Sequence, residues 1–94
     1  MAVKIVTILG STGSVGTQTL DILQEHSENY HVRALVGGSN IALLAAQARK
    51  FRPELTVVAD PSLLEALRSA LAGSNLACAA GRAAVIEAAA MPAE

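Results

Sequence analysis

The chain has 94 residues, Lys+Arg 7 against Asp+Glu 8, and one cysteine. That length suits one small domain, and the near balance of charge gives no electrostatic case for nucleic acid or an anionic membrane surface as partner. Cys78 alone excludes an internal disulfide, no apolar run approaches the ~18 residues of a membrane span, and the early Gly-Ser break in "MAVKIVTILGS" argues against a secretory leader, so the cytoplasm is the expected compartment.

Hydrophobic residues make up 52% of the chain and aromatic residues only 2%, so the core must be built from Ala, Leu, Val and Ile. Val3–Leu9 is a β-branched, nearly unbroken apolar run, the pattern of a strand buried on both faces of a parallel sheet. After the glycines, Val15, Thr19, Ile22, Leu23 and His26 fall on one helical stripe. "HVRALVGG" reads as a second strand. Asn40 then offers an N-cap to a helix carrying Ile41, Leu44, Ala45, Ala48 and Phe51, which Pro53 stops. "ELTVVAD" reads as a third strand. Asp60-Pro61 starts a helix with a cap and a proline at its first position, and Leu63, Leu64, Leu67, Ala70 and Leu71 give its stripe before Gly73. "NLACAAG" is a short fourth strand and "RAAVIEAAAM" a last helix. Strands alternating with helices across short joints predict an α/β fold: a Rossmann-like, doubly wound parallel sheet, truncated at about four βα units.

The stretch "ILGSTGSVG" joins the first strand to the first helix. Its Gly10, Gly13 and Gly16 are spaced G-x-x-G-x-x-G. Gly10 is expected to make the sharp exit from the strand, where a side chain would clash. Gly13 lets backbone approach a diphosphate, and Gly16 lets the helix pack close to the sheet. The N–H groups of Thr12, Gly13, Ser14 and Val15 are expected to face the ligand, helped by the helix dipole, with hydroxyls from Ser11, Thr12 and Ser14. Glycine spacing alone is weak; its place after a strand and before a helix is what a dinucleotide site requires. The rival reading is a merely structural turn.

The end of the second strand should meet the adenosine ribose. A carboxylate there favours NAD, but "LVGGSN" carries none. Gly38, Ser39 and Asn40 could instead hold a 2′-phosphate, which favours NADP. Arg33 lies too early in the strand to help. The rival reading of "GGSN" is an ordinary turn with an Asn cap.

"ILGSTGSVG", "LDIL" and "ALVGGSN" together resemble the amino-terminal part of 1-deoxy-D-xylulose 5-phosphate reductoisomerase, and the resemblance runs through the ending "GRAAVIEAAAMPAE". It implies an NADPH-dependent enzyme of non-mevalonate isoprenoid synthesis. Such an enzyme rearranges and reduces 1-deoxy-D-xylulose 5-phosphate to 2-C-methyl-D-erythritol 4-phosphate. It needs Mg²⁺ or Mn²⁺ and is typically a homodimer. Carried onto this chain, Thr12, Gly13, Ser14 and Val15 would surround the diphosphate, and Gly38, Ser39 and Asn40 would serve the adenosine end. Ser39 stands where the family often has a basic residue. Members of that family are several times longer, so residues 1–94 read as one dinucleotide-binding domain of a longer enzyme, its catalytic and carboxy-terminal domains elsewhere. The alternatives are another oxidoreductase with this glycine spacing (aspartate-semialdehyde dehydrogenase-like or an atypical short-chain dehydrogenase) and a nucleotide-binding module without catalysis.

The rest of the chain offers no catalytic or metal set. Asp21, Glu25, Glu28, Glu54, Asp60, Glu65 and Glu87 are scattered over helix faces and starts, and metal-assisted chemistry needs clustered carboxylates. His26 and His31 flank the turn at the end remote from the glycine loop. Cys78 reads as a buried thiol, and Arg49, Lys50 and Arg52 as cations suited to a helix C-terminus. The piece alone is therefore expected to bind cofactor without turning over its phosphosugar substrate. In the doubly wound layout Val3–Leu9 would be left as an apolar edge, through which the chain is expected to self-associate.

Overall fold

The alternation of β-branched runs and helical stripes becomes one parallel sheet in the computed structural model, which describes residues 3–91. Strands β1 (Lys4–Leu9), β2 (Tyr30–Gly37), β3 (Leu55–Val58) and β4 (Cys78–Ala80) lie side by side in chain order. Helices α1 (Ser14–Glu25), α2 (Ile41–Phe51) and α3 (Leu64–Ala70) connect them, and α4 (Arg82–Ala90) follows β4. A 3-10 turn, Pro61–Leu63, leads into α3. The third and fourth strands are shorter than their sequence patterns suggest, and the last three residues of the chain lie outside the described residues. β1 and β2 slip register between Val6 and Thr7: Val6 faces Val32 and Thr7 faces Ala34, so Arg33 is the unmatched residue of a bulge. The Arg33 Nε donates to Glu54 Oε2 at 2.8 Å, far from the glycine loop.

Two cores cover the two faces of the sheet. One joins Leu20 and Leu23 of α1, Leu44, Ala45 and Ala48 of α2, and Leu67 of α3 to Ile8, Val32, Leu35 and Val58. The other sets Ala84 and Ala88 of α4 against Ala34, Val36 and Val57. Helices α1 to α3 thus share one face and α4 takes the other, where it reaches back across the strands to β1. Helices therefore cover both faces of the sheet, the layering of a Rossmann-like, doubly wound fold. Both faces of the second half of β2 are covered, which explains its apolar stretch Ala34–Val36.

The helix ends follow the sequence signals. Asn40 caps α2, its side-chain oxygen accepting from the Leu43 N–H at 3.2 Å. Arg52 closes α2 in the left-handed region at φ 48°, just before Pro53. Its guanidinium donates to Ser74 O at 2.8 Å, and Arg49 donates to Ala70 O at 2.9 Å and Ala72 O at 3.2 Å. These cations therefore satisfy the carbonyl end of α3, a neighbouring helix, as well as lying at the end of their own.

The stripe expected on α1 is corrected. Its buried residues are Gly16, Leu20 and Leu23, while Val15 is 75% and Ile22 59% exposed. A helix with Gly16 on its inner face can approach the sheet closely, so the buried face is the one that carries Gly16. The stripe read from side-chain type alone was turned by about one residue, or roughly 100°.

Asp60 caps the turn before α3, accepting from the Ser62 hydroxyl at 2.7 Å and the Ser62 N–H at 3.0 Å. Those hydrogen bonds hold its carboxyl below the usual carboxylate value. The stabilisation they bring is present above the ordinary carboxylate pKa and is lost as pH falls through the lowered one. Ser62→Ala should raise the Asp60 midpoint in a carbon-detected NMR titration. Leu35→Ala, at a side chain with no exposure, should cost about 2–5 kcal/mol in urea unfolding.

Candidate functional site

The expected burial of the first strand on both faces is not met: β1 is an edge strand in which only Ile8 is buried, and at its carboxyl end the chain must leave the sheet and enter α1 within a few residues. Gly10 makes that exit at φ +72°, in the left-handed region that favours glycine. A Cβ at Gly10 would meet nothing within 4 Å, so its requirement is conformational; the expected clash of a side chain is not what fixes it. Gly16 is fixed by contact. A Cβ there would stand 2.2 Å from Gly10 O and 2.7 Å from the Ser11 Cα, both backbone atoms.

Hydrogen bonds divide the loop into an inner and an outer half. The N–H groups of Gly10 and Ser11 both donate to Val36 O, at 2.8 and 2.9 Å. The Gly13 N–H donates to Gly10 O at 3.0 Å. Ser11 is fully buried, its hydroxyl is without a partner, and its carbonyl accepts from Gln47 Nε2 at 2.8 Å. The Ser11 hydroxyl and the Gly13 N–H, expected to face a ligand, are thus turned inward, and both residues serve the frame of the loop. In contrast, the N–H groups of Thr12, Ser14, Val15 and Gly16 have no acceptor among the described residues.

The first turn of α1 has no side-chain cap and no acidic residue. Its amides and dipole therefore present uncompensated positive charge to solvent, the condition for binding an anion. A cleft of about 440 Å³ opens here, with Gly10, Gly13, Ser14 and Val15 in its lining. Its other wall is formed by Thr7, Ile8 and Leu9 of β1. The Gly16 N–H belongs to the outward set although the sequence suggested only a packing role for that glycine.

The second loop adjoins the first. A Cβ at Gly37 would lie 3.3 Å from Thr12 Cγ2 and 3.0 Å from Leu44 Cδ2. Gly38, Ser39 and Asn40 are all exposed. A Cβ at Gly38 would meet nothing within 4 Å. The Asn40 oxygen is occupied by its cap to Leu43, which leaves its NH₂ as a donor. The cap reading of "GGSN" is therefore correct for Asn40, and it leaves Gly38 and Ser39 open.

The other candidates lie elsewhere. His31 sits at 3.6 Å from Glu54, at the amino end of β2, and His26 closes α1. Cys78 is half-buried in β4. Among the described residues no group of three or more His, Cys, Asp or Glu could hold a metal ion.

Residues 6–94 match the family model described as 1-deoxy-D-xylulose 5-phosphate reductoisomerase. The chain belongs to that family. It is 52% identical over 92 residues to the 1-deoxy-D-xylulose 5-phosphate reductoisomerase of Bradyrhizobium sp. strain BTAi1, covering 98% of this chain and 23% of that protein. Against the Gluconobacter oxydans enzyme it is 54% identical over 89 residues, 95% of this chain and 22% of that protein. The reductoisomerase of Zymomonas mobilis, solved in complex with NADPH, superposes with a TM-score of 0.95 at 43% identity, over 99% of this chain and 25% of that one. A reductoisomerase solved with NADPH, fosmidomycin and magnesium gives 0.86 at 30% identity, over 93% of this chain and 22% of that one. The chain thus spans about a quarter of the length of its relatives. Family membership leaves the semialdehyde-dehydrogenase-like and non-catalytic alternatives without support.

Gly16→Ala should cost about 1–3 kcal/mol, because the new methyl meets backbone that cannot turn aside. Chemical denaturation measures this. Gly38→Ala, with open space around it, should change stability by less than about 0.5 kcal/mol.

Proposed function

We propose that this chain is the NADPH-holding part of an enzyme that rearranges and reduces 1-deoxy-D-xylulose 5-phosphate to 2-C-methyl-D-erythritol 4-phosphate. The observation that carries this is the set of unpartnered N–H groups at Thr12, Ser14, Val15 and Gly16 beside an uncapped helix end. Ser14, Val15 and Gly16 line one cleft and Thr12 stands in the loop beside it, a set of donors that suits the two charges of a diphosphate. The 43% identical relative solved with NADPH supports the choice of ligand.

The residues divide the cofactor between two loops. Thr12, Ser14 and Val15 would hold the diphosphate, with Gly10, Ser11 and Gly13 as the frame that aims them. Gly38 would let backbone approach the adenosine ribose, and the Ser39 hydroxyl and Asn40 amide would donate to its 2′-phosphate. No carboxylate stands at the end of β2 to claim a 2′-hydroxyl or repel a 2′-phosphate, which favours NADPH over NADH. Bound there, NADPH supplies the hydride of the reduction.

The remaining parts of the reaction belong to the larger share of the relatives' length. Relatives solved with magnesium and with fosmidomycin support a divalent cation and a small phosphosugar in the complete enzyme. We place the complete enzyme in the cytoplasm. We further propose a homodimer for the enzyme and, for the isolated chain, association through Val3–Leu9, where β1 pairs on one side only.

Calorimetric titration of the chain tests the cofactor assignment. NADPH should bind at least tenfold more tightly than NADH. Equal affinities would contradict the 2′-phosphate assignment, and absence of binding would contradict the site. In sedimentation the isolated chain should form dimers or larger species; a monodisperse monomer with Val3–Leu9 amides protected from exchange would contradict edge pairing.

A further inference from the structure

Gln47 is the polar exception on the buried face of α2. It is 7% exposed and lies beside Leu44, Ala45 and Ala48. A primary amide in such surroundings destabilises the fold unless it is hydrogen-bonded. Its Nε2 donates to the Ser11 carbonyl at 2.8 Å, across 36 residues of sequence, while its Oε1 is buried without a partner. The amide could not be reversed, because that would press one oxygen against another. The bond to Ser11 is thus what the side chain is arranged to make, at the cost of leaving its own oxygen unpaired.

The consequence lies in the peptide between Ser11 and Thr12. No peptide in the described chain is cis, so the Ser11 C=O and the Thr12 N–H lie in one plane and point in opposite directions within it. Drawing the carbonyl inward turns the Thr12 N–H outward, where it has no protein acceptor. The Ser11 N–H is fixed independently on Val36 O. Without Gln47, the carbonyl would keep only a 3.5 Å contact from Thr17 Oγ1, a hydroxyl that already donates to Gly13 O at 2.8 Å.

We propose that Gln47 is a positioning residue for the dinucleotide loop: by holding the Ser11 carbonyl inward, it keeps the Thr12 N–H aimed at the diphosphate. It acts through the loop backbone and touches no ligand. This inference rests on the cofactor reading above.

The test compares Gln47→Met with the unchanged chain. Methionine keeps the length and fills the space but has no N–H to give. Two probes are titrated, NADPH and 2′-AMP, the second carrying the adenosine end without a diphosphate. NADPH affinity should fall about tenfold in the variant, while 2′-AMP affinity stays within twofold and the far-UV spectrum is unchanged. Unchanged NADPH affinity overturns the proposal. Parallel loss of both ligands with a collapsed thermal transition also overturns it, because it marks a merely structural residue. If Gln47→Met does not fold, NMR of the unchanged chain decides. The Gln47 side-chain amide protons should exchange slowly, and the Thr12 amide should shift on adding NADPH but not 2′-AMP; rapid exchange or an unmoved Thr12 overturns the proposal. An unchanged chain that binds neither probe refutes the cofactor reading itself, and this inference with it.

Discussion

The site depends on the contact between Gly16 and the backbone of Gly10 and Ser11. With a Cβ 2.2 Å from Gly10 O ruled out, only glycine lets α1 start this close to the end of β1. That closeness places the first turn of the helix over the strand's carboxyl end. It also allows Gly10 O to receive the Gly13 N–H, at 3.0 Å, and leaves the next amides facing out. The left-handed turn at Gly10 and the inward carbonyl of Ser11 complete the same arrangement. A loop whose inner polar groups are satisfied by the protein can offer its outer ones without rearranging when a ligand arrives, which lowers the entropic cost of binding.

The sheet puts this loop where a ligand can reach it. Helices α1 to α3 lie on one face and α4 on the other. In open α/β sheets ligands bind in the crevice outside the carboxyl ends of the strands, and the glycine loop lies at that end of β1. The second loop adjoins the first through Thr12 and Gly37, because β1 and β2 are neighbours in parallel register. Under the proposed function, one elongated ligand would reach both loops without any further element of the chain.

Much of this was legible in the sequence, for reasons that differ by residue. Strand β1 is legible as a β-branched apolar run, although as an edge strand it buries only Ile8, and β2 is legible through the apolar stretch Ala34–Val36, which is covered on both faces. Asn40 and Asp60 were visible because capping chemistry is local. The α1 stripe was misread because apolarity favoured Val15 and Ile22, whereas packing was decided by the absence of a side chain at Gly16. The directions of the Ser11 hydroxyl and the Gly13 N–H differ from expectation for a similar reason: residue type says that a group can donate, and only the path of the loop says which way it points. Gln47 left a signal, a polar residue at the spacing of Leu44 and Ala48, but its partner lies 36 residues away and no local pattern names it.

A crystal structure of this chain with NADPH tests the central claim most directly. The account predicts diphosphate oxygens about 3 Å from the N–H nitrogens of Thr12, Ser14 and Val15, a hydrogen-bonding distance, with the Ser11 carbonyl still on Gln47. A diphosphate seated away from the first turn of α1, or a loop in which the Ser11 carbonyl has swung out toward it, would contradict the account.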